Sequence, residues 1–155
     1  MRSSGVALFF VTSLLLWAQP LEAGELFVEE AWVRLPPPQS TAAAFMKIHN
    51  GTEEAVVLVG AQSPWAERVE IHRSVLAEGV ATMEELETVS IPAGETLILA
   101  PKGMHLMLFQ PKKLTEGAQV PLELKFKTAE KISTRAEVRR GPAGKHGGGG
   151  HHSHH

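Results

Sequence analysis

Apolar and polar residues alternate with a period of two over short stretches of this chain, and each stretch ends at proline or glycine. Glu25–Leu35 (ELFVEEAWVRL) reads as a strand stopped by Pro36, Pro37 and Pro38. Thr41–His49 is a second, and the Asn50-Gly51 step after it predicts a hairpin with Ala55–Gln62 as the returning strand. The sequon Asn50-Gly51-Thr52 overlaps that step and is read as turn residues only. In Ala66–Ser74 (AERVEIHRS), Val69 and Ile71 fall on one face, Glu70 and His72 on the other. Glu78-Gly79 predicts a hairpin into Val80–Leu86. Ile91–Gly94 reads as a turn before Glu95–Ala100, and Pro101-Lys102-Gly103 as another before Met104–Gln110. There Leu106 and Leu108 share one face, His105 and Met107 the other. Val120–Phe126 and Lys131–Val138 close the series. Strands at about 8–12-residue spacing with no sustained helical period indicate an all-β sandwich or barrel.

Length changes this picture little, since 155 residues suit one domain. The ends change it more. Residues 1–23 place Arg2 before an apolar run, Val6 to Trp17, and a small residue, Ala23, which is the pattern of a cleaved secretory signal peptide. That apolar run is too short to span a bilayer comfortably, so no transmembrane segment is expected in the mature chain. The domain is expected over 24–140. From Gly141 the sequence GPAGKHGGGGHHSHH cannot bury a core and is expected to be a disordered Gly/His-rich tail. A formal charge of −2 gives no basic excess for nucleic acid.

The absence of cysteine removes disulfides, thiolate metal sites, thiol redox chemistry and lipid attachment at a cleaved N-terminus. All seventeen acidic residues are Glu, so Asp-rich calcium loops are excluded. Without Asp or Cys, no nucleophile with an oriented base stands out, and the chain does not read as an enzyme.

What remains is a soft-metal ligand set, His72, Met83, His105 and Met107, spaced His-x10-Met-x21-His-x-Met. Magnesium and calcium want oxygen, whereas thioethers and imidazoles suit Cu(I); a blue electron-transfer copper site is excluded because it needs a Cys thiolate. Both histidines and Met107 fall opposite the large aliphatics of their strands. Met46, Met104 and His49 lie outside the pattern and read as packing or surface residues. In the tail, His146, His151, His152, His154 and His155 are nitrogen ligands better suited to Cu(II), Ni(II) or Zn(II).

This ligand spacing resembles the signature of the periplasmic copper chaperones of the PCuAC family. The likeness extends through AWVRLPPPQSTAAAFMKIHN, IHRSVLAEGVATMEEL, IPAGETLILAPKGMHLMLF and LTEGAQVPLELKF, roughly Glu29 to Phe126. One position departs: many members carry Met directly after the first His, where this chain has Arg73. The resemblance implies a cupredoxin-like β-barrel that binds one Cu(I) through the four side chains in a shallow, solvent-near site. It also implies delivery of copper to the dinuclear copper centre of cytochrome c oxidase subunit II, alongside Sco-type thiol proteins, in the periplasm; a monomer is the default expectation. Two other readings use the same residues: a copper-buffering or resistance protein without a dedicated acceptor, and a β-sandwich adhesion or ligand-binding module in which the four residues are incidental.

Overall fold

The computed structural model describes residues 24–127 and 129–141. The expected leader (1–23) and all of the expected tail after Gly141 lie outside the described residues. Within them the chain forms ten strands: β1 (Leu26–Arg34), β2 (Ala42–Asn50), β3 (Val56–Gln62), β4 (Arg68–Ala77), β5 (Val80–Glu85), β6 (Val89–Ile91), β7 (Thr96–Leu99), β8 (Met104–Phe109), β9 (Gln119–Phe126) and β10 (Ile132–Arg139). The expected all-β class is what the chain adopts, and the barrel is the form it takes. Strands pair in the order β4-β8-β2-β1-β10-β9-β3, and the single pair Ala61↔Val69 joins β3 back to β4. The hydrogen-bonded ring therefore closes and leaves few free edges. β5 lies outside the ring, hydrogen-bonded only to β4, and β7 pairs with the half of β2 beyond β8.

Alternation fills the barrel. Ala44, Ile48, Leu58, Ile71, Leu106, Leu108, Leu122, Leu124 and Val138 point inward and are buried. In β1 the inward set changes phase: Leu26 and Val28 pack on the core, then Ala31, Val33 and Leu35 do. A β-bulge makes the change, since Glu29 pairs with Lys47 but the next registered pair is Trp32↔Phe45, with Glu30 at φ 52°. One extra residue in β1 turns Trp32 outward, where its ring lies 4.6 Å from that of Phe45.

Two expectations fail. Asn50-Gly51 is not a hairpin: β2 pairs with β1, β7 and β8, while β3 pairs with β4, β6 and β9. Asn50 is buried, and its Nδ2 lies 2.8, 2.9 and 3.1 Å from the carbonyl oxygens of Glu54, Ile91 and Pro92. Its Oδ1 accepts from the Thr52 amide and hydroxyl. The asparagine thus staples a crossover loop to the β6–β7 turn, and this tertiary use overrides its local turn preference. Gly51 is required beside it, because a Cβ there would meet the Glu25 carbonyl oxygen at 2.9 Å. Second, Val89–Ile91, which includes the first residue of the expected turn, is a short strand on the edge of β3. Glu78-Gly79 does form the expected two-residue hairpin, with φ of 50° and 80° and Ala77 opposite Val80.

A candidate copper site on the outer face of the barrel

Inward-facing aliphatics force their strand neighbours outward, and on β4, β8, β2 and β1 those neighbours make a second layer. His72 of β4 is directly opposite His105 of β8, which adjoins Phe45 of β2, itself opposite Trp32 of β1. Ring centroids along this row are 6.0, 6.2 and 4.6 Å apart. One pair further along, Glu70, Met107 and Ala43 form the next row, ending at Arg34. The Arg34 guanidinium carbon lies 5.3 Å from the Phe45 ring centre and 6.0 Å from that of Trp32. This outer layer shields the site: His105 is only 3 % exposed and Met107 9 %. The expectation of a shallow, solvent-near site therefore needs correction for these two side chains, which are buried.

Met83 differs. It is opposite Ser74, and Glu85 is opposite His72, so alternation puts Met83 on the face that His72 occupies, one strand further out. It is 60 % exposed. The fold thus gathers His72, His105 and Met107 on two neighbouring strands and holds Met83 at the open end of that face. Arg73 alternates to the other side of β4, and its Nη2 donates to Glu84 at 2.8 Å, so a carboxylate balances its charge. Of the residues read as packing or surface, Met46 and Met104 pack in or against the core. His49 sits on β2, engaged by Glu29 and Thr96.

Each imidazole has one nitrogen committed and one without a partner. His72 Nε2 is 2.9 Å from Glu70 Oε2, and His105 Nδ1 is 3.1 Å from the Gly103 carbonyl oxygen. A carboxylate and a carbonyl only accept, so the nitrogens facing them carry the protons when the rings are neutral. His72 Nδ1 and His105 Nε2 are then lone-pair nitrogens, and both are buried with no hydrogen-bond partner among the described residues. Buried polar atoms are rarely left unpaired without a function. Metal-binding histidines show this same division, one nitrogen on the metal and the other donating to a carboxylate or carbonyl. No group of three or more His, Cys, Asp or Glu that could hold a metal occurs among the described residues, and the side chains that share this face with the two imidazoles include the thioethers of Met107 and Met83.

Burial favours the neutral His105 ring. Burial pushes His105 below the ordinary imidazole pKa, and the nearby His72 and Arg34 push it the same way, against the Gly103 carbonyl. The Arg68 guanidinium, then His72, hold the Glu70 carboxyl below the usual carboxylate range. Sequence reading singled out the four candidate ligands but not Arg68, Glu70, Phe45, Trp32 or Arg34. Arg68, Glu70 and His72 were findable together, as alternate residues on one strand.

The fold is that of a PCuAC-type domain. Among solved structures, Cu(I)-bound DR1885 of Deinococcus radiodurans superposes with a TM-score of 0.64 at 29 % identity, over 77 % of this chain and 82 % of that one. An apo PCuAC domain from PmoF1 matches with a TM-score of 0.63 at 25 % identity, over 76 % and 96 % of the two chains. A copper-bound PCuAC domain from PmoF2, TM-score 0.62 over 75 % and 93 %, is 21 % identical and supports the fold alone. Residues 26–138 match the profile described as "Putative lipoprotein LpqE-like", and the chain belongs to this LpqE-like, PCuAC-related family. A curated relative, "Putative lipoprotein Lxx21020" of Leifsonia xyli subsp. xyli (strain CTCB07), is 36 % identical over 107 residues. The match takes in 68 % of this chain but only 64 % of that relative's length. Lipoprotein is the description of those relatives; the 155 residues here include no cysteine to carry a thioether-linked lipid.

Proposed function

We propose that this chain is a copper chaperone acting outside the cytoplasm, in the periplasm. It holds one Cu(I) through His72, Met83, His105 and Met107 and passes it to the dinuclear copper centre of cytochrome c oxidase subunit II, alongside Sco-type thiol proteins. The observation that carries this reading is the pair of partnerless, buried imidazole nitrogens on facing residues of β4 and β8, with two methionines on the same face. The Cu(I)-bound state of the Deinococcus radiodurans relative supports it.

The chemistry is ligand exchange. Thioethers bind Cu(I) without losing a proton, and burial, which holds His105 below the ordinary imidazole pKa, favours the neutral ring that coordinates. Unloading starts where the site is open. Met83 is the exposed ligand, on a strand hydrogen-bonded only to β4, whereas His105 and Met107 lie beneath their neighbours. A thiolate or imidazole of the acceptor displaces Met83 first and then draws the ion from the deeper ligands. No covalent bond is made or broken in a substrate, so the reading is of a carrier, not an enzyme. The tail histidines His146, His151, His152, His154 and His155 form a separate Cu(II) site in this proposal.

A competition titration of the mature chain with Cu(I) against a chromophoric chelator, under reducing conditions, tests the site. One tight equivalent that weakens in Met83→Ala is expected; no tight binding would return the four residues to incidental status. Stoichiometric transfer to an apo oxidase copper domain separates a chaperone from a copper buffer.

A further inference from the structure

Arg68, Glu70 and His72 occupy alternate positions on the outer face of β4, and each touches the next. Arg68 Nε donates to Glu70 Oε1 at 2.6 Å, and Glu70 Oε2 accepts from His72 Nε2 at 2.9 Å. The far end is anchored on β8, where the Arg68 guanidinium carbon lies 3.8 Å from the centre of the Phe109 ring. The same ring packs at 6.0 Å from His72. The result is a closed circuit, Phe109 to Arg68 to Glu70 to His72 and back to Phe109. Glu70 is its central member and lies directly opposite Met107.

We propose that Glu70 is the positioning residue of the copper site: by accepting the Nε2 proton of His72 it fixes the ring as the Nε2–H tautomer and aims Nδ1 at the metal. The inference rests on the reading of His72 as a copper ligand. It has a consequence that ligand spacing does not contain. The two histidines present different nitrogens, Nδ1 from His72 and Nε2 from His105, because one ring is tethered by a side chain two residues earlier on its strand and the other by the carbonyl of Gly103, two residues before it. An untethered imidazole distributes its proton between both nitrogens and its ring between rotamers, so part of the population must rearrange before it can bind. Removing Glu70 imposes that rearrangement. Arg68, stacked on Phe109, supports Glu70 and touches neither ligand nitrogen. Carboxylates that orient metal-binding histidines are worth about 10–100-fold in metal affinity.

The test is a long-range proton–nitrogen correlation spectrum of the histidine rings in the copper-free mature chain at pH 8. It is recorded for wild type, Glu70→Gln and Glu70→Ala, with the His72 signals assigned through His72→Gln, and each protein is then titrated with Cu(I). Wild type is expected to show His72 protonated on Nε2, and addition of Cu(I) to shift Nδ1. Glu70→Gln, whose amide oxygen still accepts, keeps that tautomer. Glu70→Ala mixes the two tautomers and weakens Cu(I) by about 10–100-fold, beyond any loss in Glu70→Gln. Amide spectra check that each variant is folded. Should Glu70→Ala not fold, Arg68→Met, which loosens Glu70 without touching His72, is expected to mix the tautomers partially. A wild-type His72 protonated on Nδ1, or tight copper binding with tautomer and affinity unmoved by the loss of Glu70, would overturn this inference alone. Absence of Cu(I) binding in wild type, with the tautomer as expected, would overturn the copper reading on which it rests.

Discussion

His72 and His105 face each other across β4 and β8 with ring centroids 6.0 Å apart, and each turns its bonded nitrogen to a different acceptor, Glu70 or Gly103. A single ion bonded at about 2 Å to one nitrogen of each ring can bridge that spacing. A directly opposed pair on a sheet is a rigid platform, because its separation is set by backbone hydrogen bonds and not by side-chain choice. Met107 of β8 and Met83 of β5 lie on the same face by alternation.

Acid acts on His105 through the fold as well as through the metal. In the unfolded chain its imidazole titrates near the ordinary value of about 6.5; in the fold, burial moves the pKa lower. Between the two values the unfolded state carries more protons, so the copper-free fold loses stability as pH falls below about 6.5 and regains it above. Urea unfolding midpoints at pH 7.5 and 5.5 are expected to show this loss in wild type and a smaller one in His105→Gln. Equal losses in both would remove His105 as the cause. The same shift lets Nε2 of His105 stay available to Cu(I) at a lower pH than an ordinary imidazole.

The two methionines separate binding from stability. Met83 is exposed on an outer strand, so Met83→Ala is expected to weaken Cu(I) while changing stability by no more than about 0.5 kcal/mol. Met107 lies 9 % exposed beneath its neighbours, and Met107→Ala is expected to weaken Cu(I) and also to cost about 2 kcal/mol of stability in the copper-free state. Thermal melts of the apo variants beside Cu(I) titrations measure both quantities. A destabilised Met83→Ala, or an apo Met107→Ala as stable as wild type, would contradict the positions described for them.

How much of this was legible in the sequence depended on the range of the interactions. Alternation in AERVEIHRS and MHLMLF set which face carries Val69, Ile71, Leu106 and Leu108 and which carries His72, His105 and Met107, because a strand's two faces are a local property. Glu78-Gly79 made its hairpin for the same reason. The direct opposition of His72 and His105 was not legible, since register between β4 and β8 is set by contacts more than thirty residues apart. The outward turn of Trp32 depended on the bulge at Glu30, visible afterwards as the change of phase from Leu26 and Val28 to Ala31 and Val33. His105 packs beside Phe45 of β2, a strand whose adjacency to β8 alternation alone does not predict.

Asn50 is where the local signal misled, and it supplies a stability test. Its side chain faces three carbonyl oxygens in the β2–β3 loop and the β6–β7 turn. Asn50→Ala leaves buried acceptors unpaired and is expected to cost about 2–3 kcal/mol, read as a lower denaturant midpoint at unchanged slope. Asn50 as the corner of an ordinary hairpin would lose well under 1 kcal/mol in the same experiment, because no buried group would depend on it. Cu(I) binding by the folded fraction should be unaffected, since neither segment that Asn50 joins carries a candidate ligand.

The tail permits a separation of the two metals by oxidation state. Cu(I) accepts thioether sulfur, and all four methionines of the expected mature chain precede residue 141, whereas five of its eight histidines follow it. Deleting residues 141–155 is therefore expected to leave the single tight Cu(I) equivalent in place and to remove most Cu(II) binding, measured by equilibrium dialysis of the full and shortened mature chains under oxidising conditions. The structural cost should be small, because β10 already ends at Arg139 and the last core side chain on it is Val138. Unchanged Cu(II) stoichiometry in the shortened chain would place Cu(II) on the barrel instead. Loss of Cu(I) together with Cu(II) would mean that tail histidines complete the coordination now assigned to Met83.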